Sequence, residues 1–390
     1  MKRRDWLRWG CAHCAAFSGL ALAQQTPDAT AGWSVPPRFT APDLATDEGG
    51  LWAMMEREER RLRRSPFRLR DDALGDYLTG IACRLGGTHC PDVRVYAIRA
   101  PLFNATMAPN GMLQIWSGML LRVDNEAQLA AIIGHEIGHY LQRHTLERLR
   151  DLKARAAFGQ FLGLFGLVGL VGQVATLASA MAFSRDQERE ADRIGVTLMR
   201  QHGYDTREAG RIWANLLDEL RANPEYEANQ DSVLFATHPP SDERRAALDA
   251  LTLGSEGGRT GADAFQARLA PHRFGLLQDE LKRGRPHETV ALLDRMLKRA
   301  PDDAELLYVR GEALRLRALA GDEERAFGDL QAAARSGREP ALAHRALGEL
   351  HRASGRHDDA RAAWTRYLER APDAPDAGLI RQSLDSTGKP

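Results

Sequence analysis

The segment Gly134-His135-Glu136-Ile137-Gly138-His139 constrains this chain more than any other stretch. Its two histidines are four residues apart, a spacing that brings both imidazoles to one ion only if the backbone is an α-helix. The neighbours predict that helix: Leu129, Ile132, Ile133, Ile137 and Leu141 keep helical spacing, and Asp124 or Asn125 is placed to cap its start. Glu136 then points beside the histidines, toward a metal-bound water. The ion expected is Zn²⁺, one per chain, because a neutral imidazole pair leaves zinc electrophilic enough to activate water, with Glu136 as general base. Peptide hydrolysis is the natural use of such a site.

A third ligand is required, and the segment SRDQEREADRIG, starting at Ser184, offers several carboxylates. Glu188 and Asp192 share a helical face at i,i+4. Glu188 can therefore bind the metal while Asp192 accepts the far N–H of a ligating histidine. Glu190 lies about 200° from Glu188 around such a helix, and its i+4 neighbour is Ile194. His144 is expected on the surface, since His135 and His139 already occupy the metal-facing stripe. His89, next to Cys90, lacks the third ligand that a second metal site would need.

The 390 residues are enough for two or three domains. Lys and Arg number 53 and Asp and Glu 53, so no net field favours nucleic acid or anionic lipid. Residues 1–23 have the layout of a signal peptide: basic Lys2, Arg3, Arg4 and Arg8, a short apolar run, and small Ala21 and Ala23 before the expected cleavage. Arg3-Arg4 also resembles a twin-arginine export signal. Export would leave Cys83 and Cys90 in an oxidising compartment, either as a disulfide or as two buried thiols. Residues 24–45 read as a flexible lead, and Met54–Arg64 as a helix with a solvated face carrying the pairs Glu56/Arg60 and Glu59/Arg63.

Three short strands, Asp92–Ile98, Leu102–Ala108 and Met112–Trp116, with turn chemistry at Pro109-Asn110-Gly111, predict a small antiparallel sheet. Ala156 to Phe183 is a charge-free stretch with glycines at 159, 163, 166, 169 and 172. A single membrane crossing there would part Glu188 from His139, so a helical hairpin over the site, or one touching a bilayer surface, is expected. The Gly-rich stretch 254–264 reads as a linker. Beyond it Gly284, Gly321 and Gly355 recur, and LKRAPDDAE is echoed by LERAPDAPD, a pattern of stacked helix pairs.

HEIGH, SRDQEREAD and the later THPPSDER together resemble the HtpX/BepA-type zinc metallopeptidase family of HExxH gluzincins, over about Asp71 to Leu251. The C-terminal repeats resemble tetratricopeptide repeats, most clearly through Gly348, Gly355, Ala360, Trp364 and Pro372, and point to the periplasmic BepA-like branch. The resemblance implies a mainly α (α+β) fold, with a peptidase domain over 46–253 and an α-solenoid over 265–390. It implies Glu188 as the third ligand and Asn104 and Ala105 as the edge that meets an extended substrate. It also implies His238 in the catalytic site, either stabilising the oxyanion or lidding the metal, and Arg244 as a further substrate or oxyanion contact.

The function so implied is that of a periplasmic zinc endopeptidase acting on misassembled outer-membrane proteins, its repeats contacting the assembly machinery. The alternative is an assembly factor or chaperone working mainly through its repeats, with proteolysis latent.

Overall fold

The computed structural model describes residues 33–154, 183–226, 238 and 241–386. The expected signal peptide, the first part of the lead and residues 155–182, almost all of the charge-free stretch, lie outside the described residues.

Helix α1 (Asp47–Arg64) starts at Thr46, whose hydroxyl accepts from Gly49 N. The pair Glu59/Arg63 forms at 2.7 Å. This face of α1 is more than solvated, however. Glu59 is buried, and its carboxylate accepts from Arg94 Nη2, the Tyr96 hydroxyl and Asn110 Nδ2, which ties the helix to the sheet. Burial pushes the Glu59 carboxyl up, but the Arg94, Tyr96 and Arg63 bonds outweigh it and hold it at about 2. Asp71 caps α2 (Asp72–Gly86), and a short 3₁₀ turn follows at Gly87–Asp92. Cys83 and Cys90 are disulfide-bonded across that turn, which decides between the two states open from sequence.

Strands β1 (Arg94–Ile98), β2 (Ala105–Met107) and β3 (Met112–Trp116) form a sheet in the order β1-β3-β2. The β2–β3 hairpin is antiparallel, with Ala105 opposite Ile115 and Met107 opposite Leu113. Its turn holds Gly111 at φ 86°, where an added Cβ would lie 2.1 Å from Asp92 O. β1 pairs with β3 in parallel, so the sheet is mixed where an antiparallel one was expected. Residues 99–104 carry the chain past the place beside β1, and β3 returns into the gap. Period-2 alternation reports which residues face the core but not which strand lies next to which.

Among the described residues the helices that follow are α3 (Ser117–Arg122), α4 (Glu126–Leu141), α5 (His144–Ala154), α6 (Arg185–Gln201), α7 (Glu208–Arg221) and α8 (Asp242–Leu251). Asn125 is the cap of α4, accepting from Gln128 N at 2.9 Å. α4 is buried on all sides, beneath the sheet, α2 and α6. Its closest neighbour is α6, and small residues set the approach. A Cβ on Gly195 would lie 2.9 Å from His135 N, and one on Gly138 would lie 3.0 Å from Ala191 Cα. The glycine inside HEIGH therefore serves helix contact, bringing α6 near enough for Glu188 to reach the histidines.

Seven helices follow: α9 (Ala262–Lys282), α10 (Pro286–Arg299), α11 (Ala304–Arg317), α12 (Asp322–Arg335), α13 (Ala341–Ala353), α14 (His357–Arg370) and α15 (Ala377–Ser386). The recurrent glycines Gly284, Gly321 and Gly355 are the turns of the pairs α9/α10, α11/α12 and α13/α14, each with a left-handed φ between 71° and 83°. Within the last pair Gly348 admits Trp364, whose Nε1 lies 2.2 Å from where a Cβ would be.

The stretch expected as a linker is pinned: Arg259 O accepts from Asp205 N, and Thr260 O from Ala127 N, the first turn of α4. From Val35 onward the chain packs as one compact unit. Among the described residues no helix is long and apolar enough to cross a membrane.

Candidate metal centre

His135 and His139 project from α4, Glu188 from the first turn of α6, and His238 from the segment before α8. Ser184 starts α6 with a reciprocal capping box to Gln187, which fixes the register that places Glu188. Ligand atoms of His135, His139, Glu188 and His238 all lie within 4.8 Å of one another, and all four residues are buried. His139 Nε2 is 3.0 Å from His135 Nε2 and 3.3 Å from Glu188 Oε1. His238 Nδ1 is 2.8 Å from Glu188 Oε1 and 3.2 Å from His135 Nε2.

This donor set fits a divalent metal. Three imidazole edges converge with a carboxylate, and Glu188 Oε2 is buried without a hydrogen bond, although Arg244 Nη1 is 3.1 Å away. Without an ion, the facing imidazole nitrogens set lone pairs against one another. Burial holds the His139 imidazole well below its ordinary pKa, so it is neutral and its lone pair is available. Burial opposes ionisation of Glu188, but His238, His139 and His135 outweigh it and hold that carboxyl far below the usual range.

Asp192 accepts from His135 Nδ1 at 2.8 Å, which orients the imidazole. Burial raises the Asp192 pKa, but the Arg244 charge and His135 more than offset it, leaving about 2. Arg244 is also buried. It donates to Asp192 through Nε at 2.9 Å and Nη2 at 2.7 Å, and its guanidinium lies 4.1 Å from the Trp213 ring centre. Nε and Nη2 of Arg244 are thus engaged with Asp192, while Nη1 lies 3.1 Å from Glu188 Oε2.

Glu136 Oε2 accepts from Met107 N at 3.0 Å. Asn104 O and Ala108 N bond to β3, so alternation turns Ala105 and Met107 backbone groups to the open edge of β2. The general-base candidate is therefore tied to the free edge of the sheet. Burial pushes the Glu136 carboxyl above its ordinary value. Asn104 is buried with Oδ1 unpartnered, and Ala105 lines a cleft beside Glu136 with Phe103, Ile132, Val196, Trp213 and Leu248.

Sequence reasoning misplaced His144. It is 2% exposed, and its Nδ1 is 2.9 Å from His139 Nδ1. Arg143 causes this: it takes a left-handed φ of 60°, rare for a non-glycine residue, and folds the chain after α4 back on itself. An ion pair with Glu48 and a contact over the Phe39 ring hold it there. A helix continued through 143 would have carried His144 away, and nothing in the local sequence marks the break. Phe183, the last residue of the charge-free stretch, stacks on His139 at 4.0 Å between ring centres.

With that geometry in place, residues 69–252 match Peptidase family M48. They form a peptidase domain of family M48. The chain is 28% identical over 231 residues to the beta-barrel assembly-enhancing protease of Escherichia coli (strain K12), covering 53% of this chain and 46% of that protein. It is 30% identical over 182 residues to the mitochondrial metalloendopeptidase OMA1 of Arabidopsis thaliana, covering 44% of this chain and 36% of that one. The OMA1 of Schizosaccharomyces pombe (strain 972 / ATCC 24843) is 31% identical over 152 residues, with 38% and 44% covered. The chain thus spans less than half the length of these relatives. The M48 segment contains all the site residues described above and ends before α9.

Proposed function

We propose that this chain is a zinc-dependent metalloendopeptidase of the periplasm that cleaves misassembled outer-membrane proteins in extended conformation. The observation carrying it is the convergence of His135, His139 and Glu188 beside Glu136, itself bonded to the outward edge of β2. Zinc held by those three residues supplies a Lewis acid that polarises the scissile carbonyl and lowers the pKa of water. An extended substrate adds to β2 through the outward backbone N–H and C=O of Ala105 and the C=O of Met107, which tolerates many sequences. The cleft lined by Ala105, Phe103 and Trp213 leaves about 20 Å³, room for roughly one water, and so takes a small side chain. Glu136 removes the proton of the attacking water and passes it to the leaving amine, the Met107 N–H keeping the carboxylate aimed.

His238 favours a latent resting state over an oxyanion role, because Nδ1 reaches both Glu188 and His135 within the ligand cluster. Its displacement would open a position for water or substrate. His238→Ala is expected to raise cleavage of unfolded casein several-fold if it is a lid, and to lower it if it stabilises the oxyanion. The helix pairs beyond α8 are read as tetratricopeptide-like repeats that present substrates or contact the assembly machinery. Metal analysis tests the core of this reading: wild type is expected to carry about one zinc per chain, and His135→Ala and Glu188→Ala to carry little. A purified, intact wild type that takes up no zinc sinks it. The chaperone reading is not favoured, since the convergence of His135, His139 and Glu188 beside Glu136 supports a hydrolytic site.

A further inference from the structure

The inference drawn here rests on the metal reading above and concerns the far side of His139. We propose that His144, backed by Glu190, is the positioning residue that fixes the tautomer and orientation of His139 for metal binding. The two ligand histidines need the same support: to give Nε2 to a metal, each must carry its proton on Nδ1 and have an acceptor for it. His135 finds that acceptor in Asp192. Among the described residues no carboxylate bonds to His139 Nδ1; it has His144 Nδ1 at 2.9 Å.

Two facing ring nitrogens share one proton only if one accepts. His139 must donate, so His144 Nδ1 accepts and His144 carries its own proton on Nε2. That nitrogen lies 3.4 Å from Glu190 Oε2, a carboxylate that takes such a proton. Glu190 is in turn held by Gln142, whose Nε2 donates to Oε1 at 2.6 Å. Every hydrogen then has one place: His139 Nδ1–H to His144, His144 Nε2–H to Glu190. Glu190, which points away from Glu188 around α6, thus serves the second histidine as Asp192 serves the first.

The test separates hydrogen bonding from packing. His144→Phe keeps a buried ring but offers no acceptor, whereas His144→Asn places Oδ1 near the position of Nδ1 and restores one. Glu190→Ala, at a half-exposed site, removes the backing carboxylate. Apo protein of each variant and of wild type is titrated with zinc against a chromophoric chelator at fixed pH, and melting of the metal-free proteins reports folding. Zinc affinity is expected to fall about 10- to 100-fold in His144→Phe, to stay within a few-fold of wild type in His144→Asn, and to fall by less than Phe in Glu190→Ala. Equal affinity in His144→Phe and wild type, or equal losses in Phe and Asn, overturns the proposal. A wild type that binds no zinc overturns the metal reading and this inference with it.

Discussion

Glu136→Gln is expected to reduce peptide-bond hydrolysis by about 10²- to 10⁴-fold, the usual worth of a positioned general base. The amide is nearly isosteric and its Oε1 can still accept from Met107 N, so the substitution leaves α4 and the sheet edge in register. It does not touch His135, His139 or Glu188, so zinc content is expected to stay at the wild-type value. Casein cleavage and metal content measured on one preparation separate the outcomes: activity near wild type would remove Glu136 from the mechanism. The buried setting is what makes the loss large. Glu136 sits against the sheet, where burial raises its carboxyl above its ordinary value.

The second large effect is on stability, away from the candidate metal centre. Arg122, at the end of α3, is 2% exposed and is gripped by two buried carboxylates, Glu219 of α7 through Nε at 2.7 Å and Glu280 of α9 through Nη2 at 2.9 Å. Burial pushes Glu280 up, but the charges of Arg122 and Arg283 more than offset it and hold it at about 2. Arg122→Ala leaves both carboxylates in the core with their principal cation gone, a loss of about 3–5 kcal/mol. The expected readout is a large drop in the urea midpoint of unfolding. Arg122→Met combined with Glu219→Gln and Glu280→Gln removes the uncompensated charge and is expected to recover part of it. If Arg122→Ala unfolds at the wild-type midpoint, the cluster carries no stability. Because α9 lies beyond the M48 segment, this cluster clamps the C-terminal helices onto the peptidase domain, and the shift also tests whether the two parts unfold together.

Some of this was legible from the chain alone, where local spacing fixes geometry. Histidines four apart on a helix must share a face, Glu188 and Asp192 must do likewise, and Asp124 or Asn125 at the head of an apolar stripe is placed to cap it. Glycines recurring at Gly284, Gly321 and Gly355 mark turns because only left-handed backbone closes such helix pairs tightly. Other features depended on residues distant in sequence. The order β1-β3-β2 arises from a crossover that alternation does not encode. The burial of Glu59 is set by Arg94 and Asn110, and the commitment of Arg244 by Asp192 and Trp213.

His144 shows the difference most sharply. By helical spacing it belongs on the surface, yet one left-handed residue, Arg143, held by Glu48 and Phe39, turns it against His139. The sequence by itself determined the chemistry, because ligand type and i,i+4 spacing are properties of a single helix. Only the tertiary structure decided what orients that chemistry, because a hydrogen bond between helices depends on how closely they pack, and here Gly138, Gly195 and Ala191 set that distance.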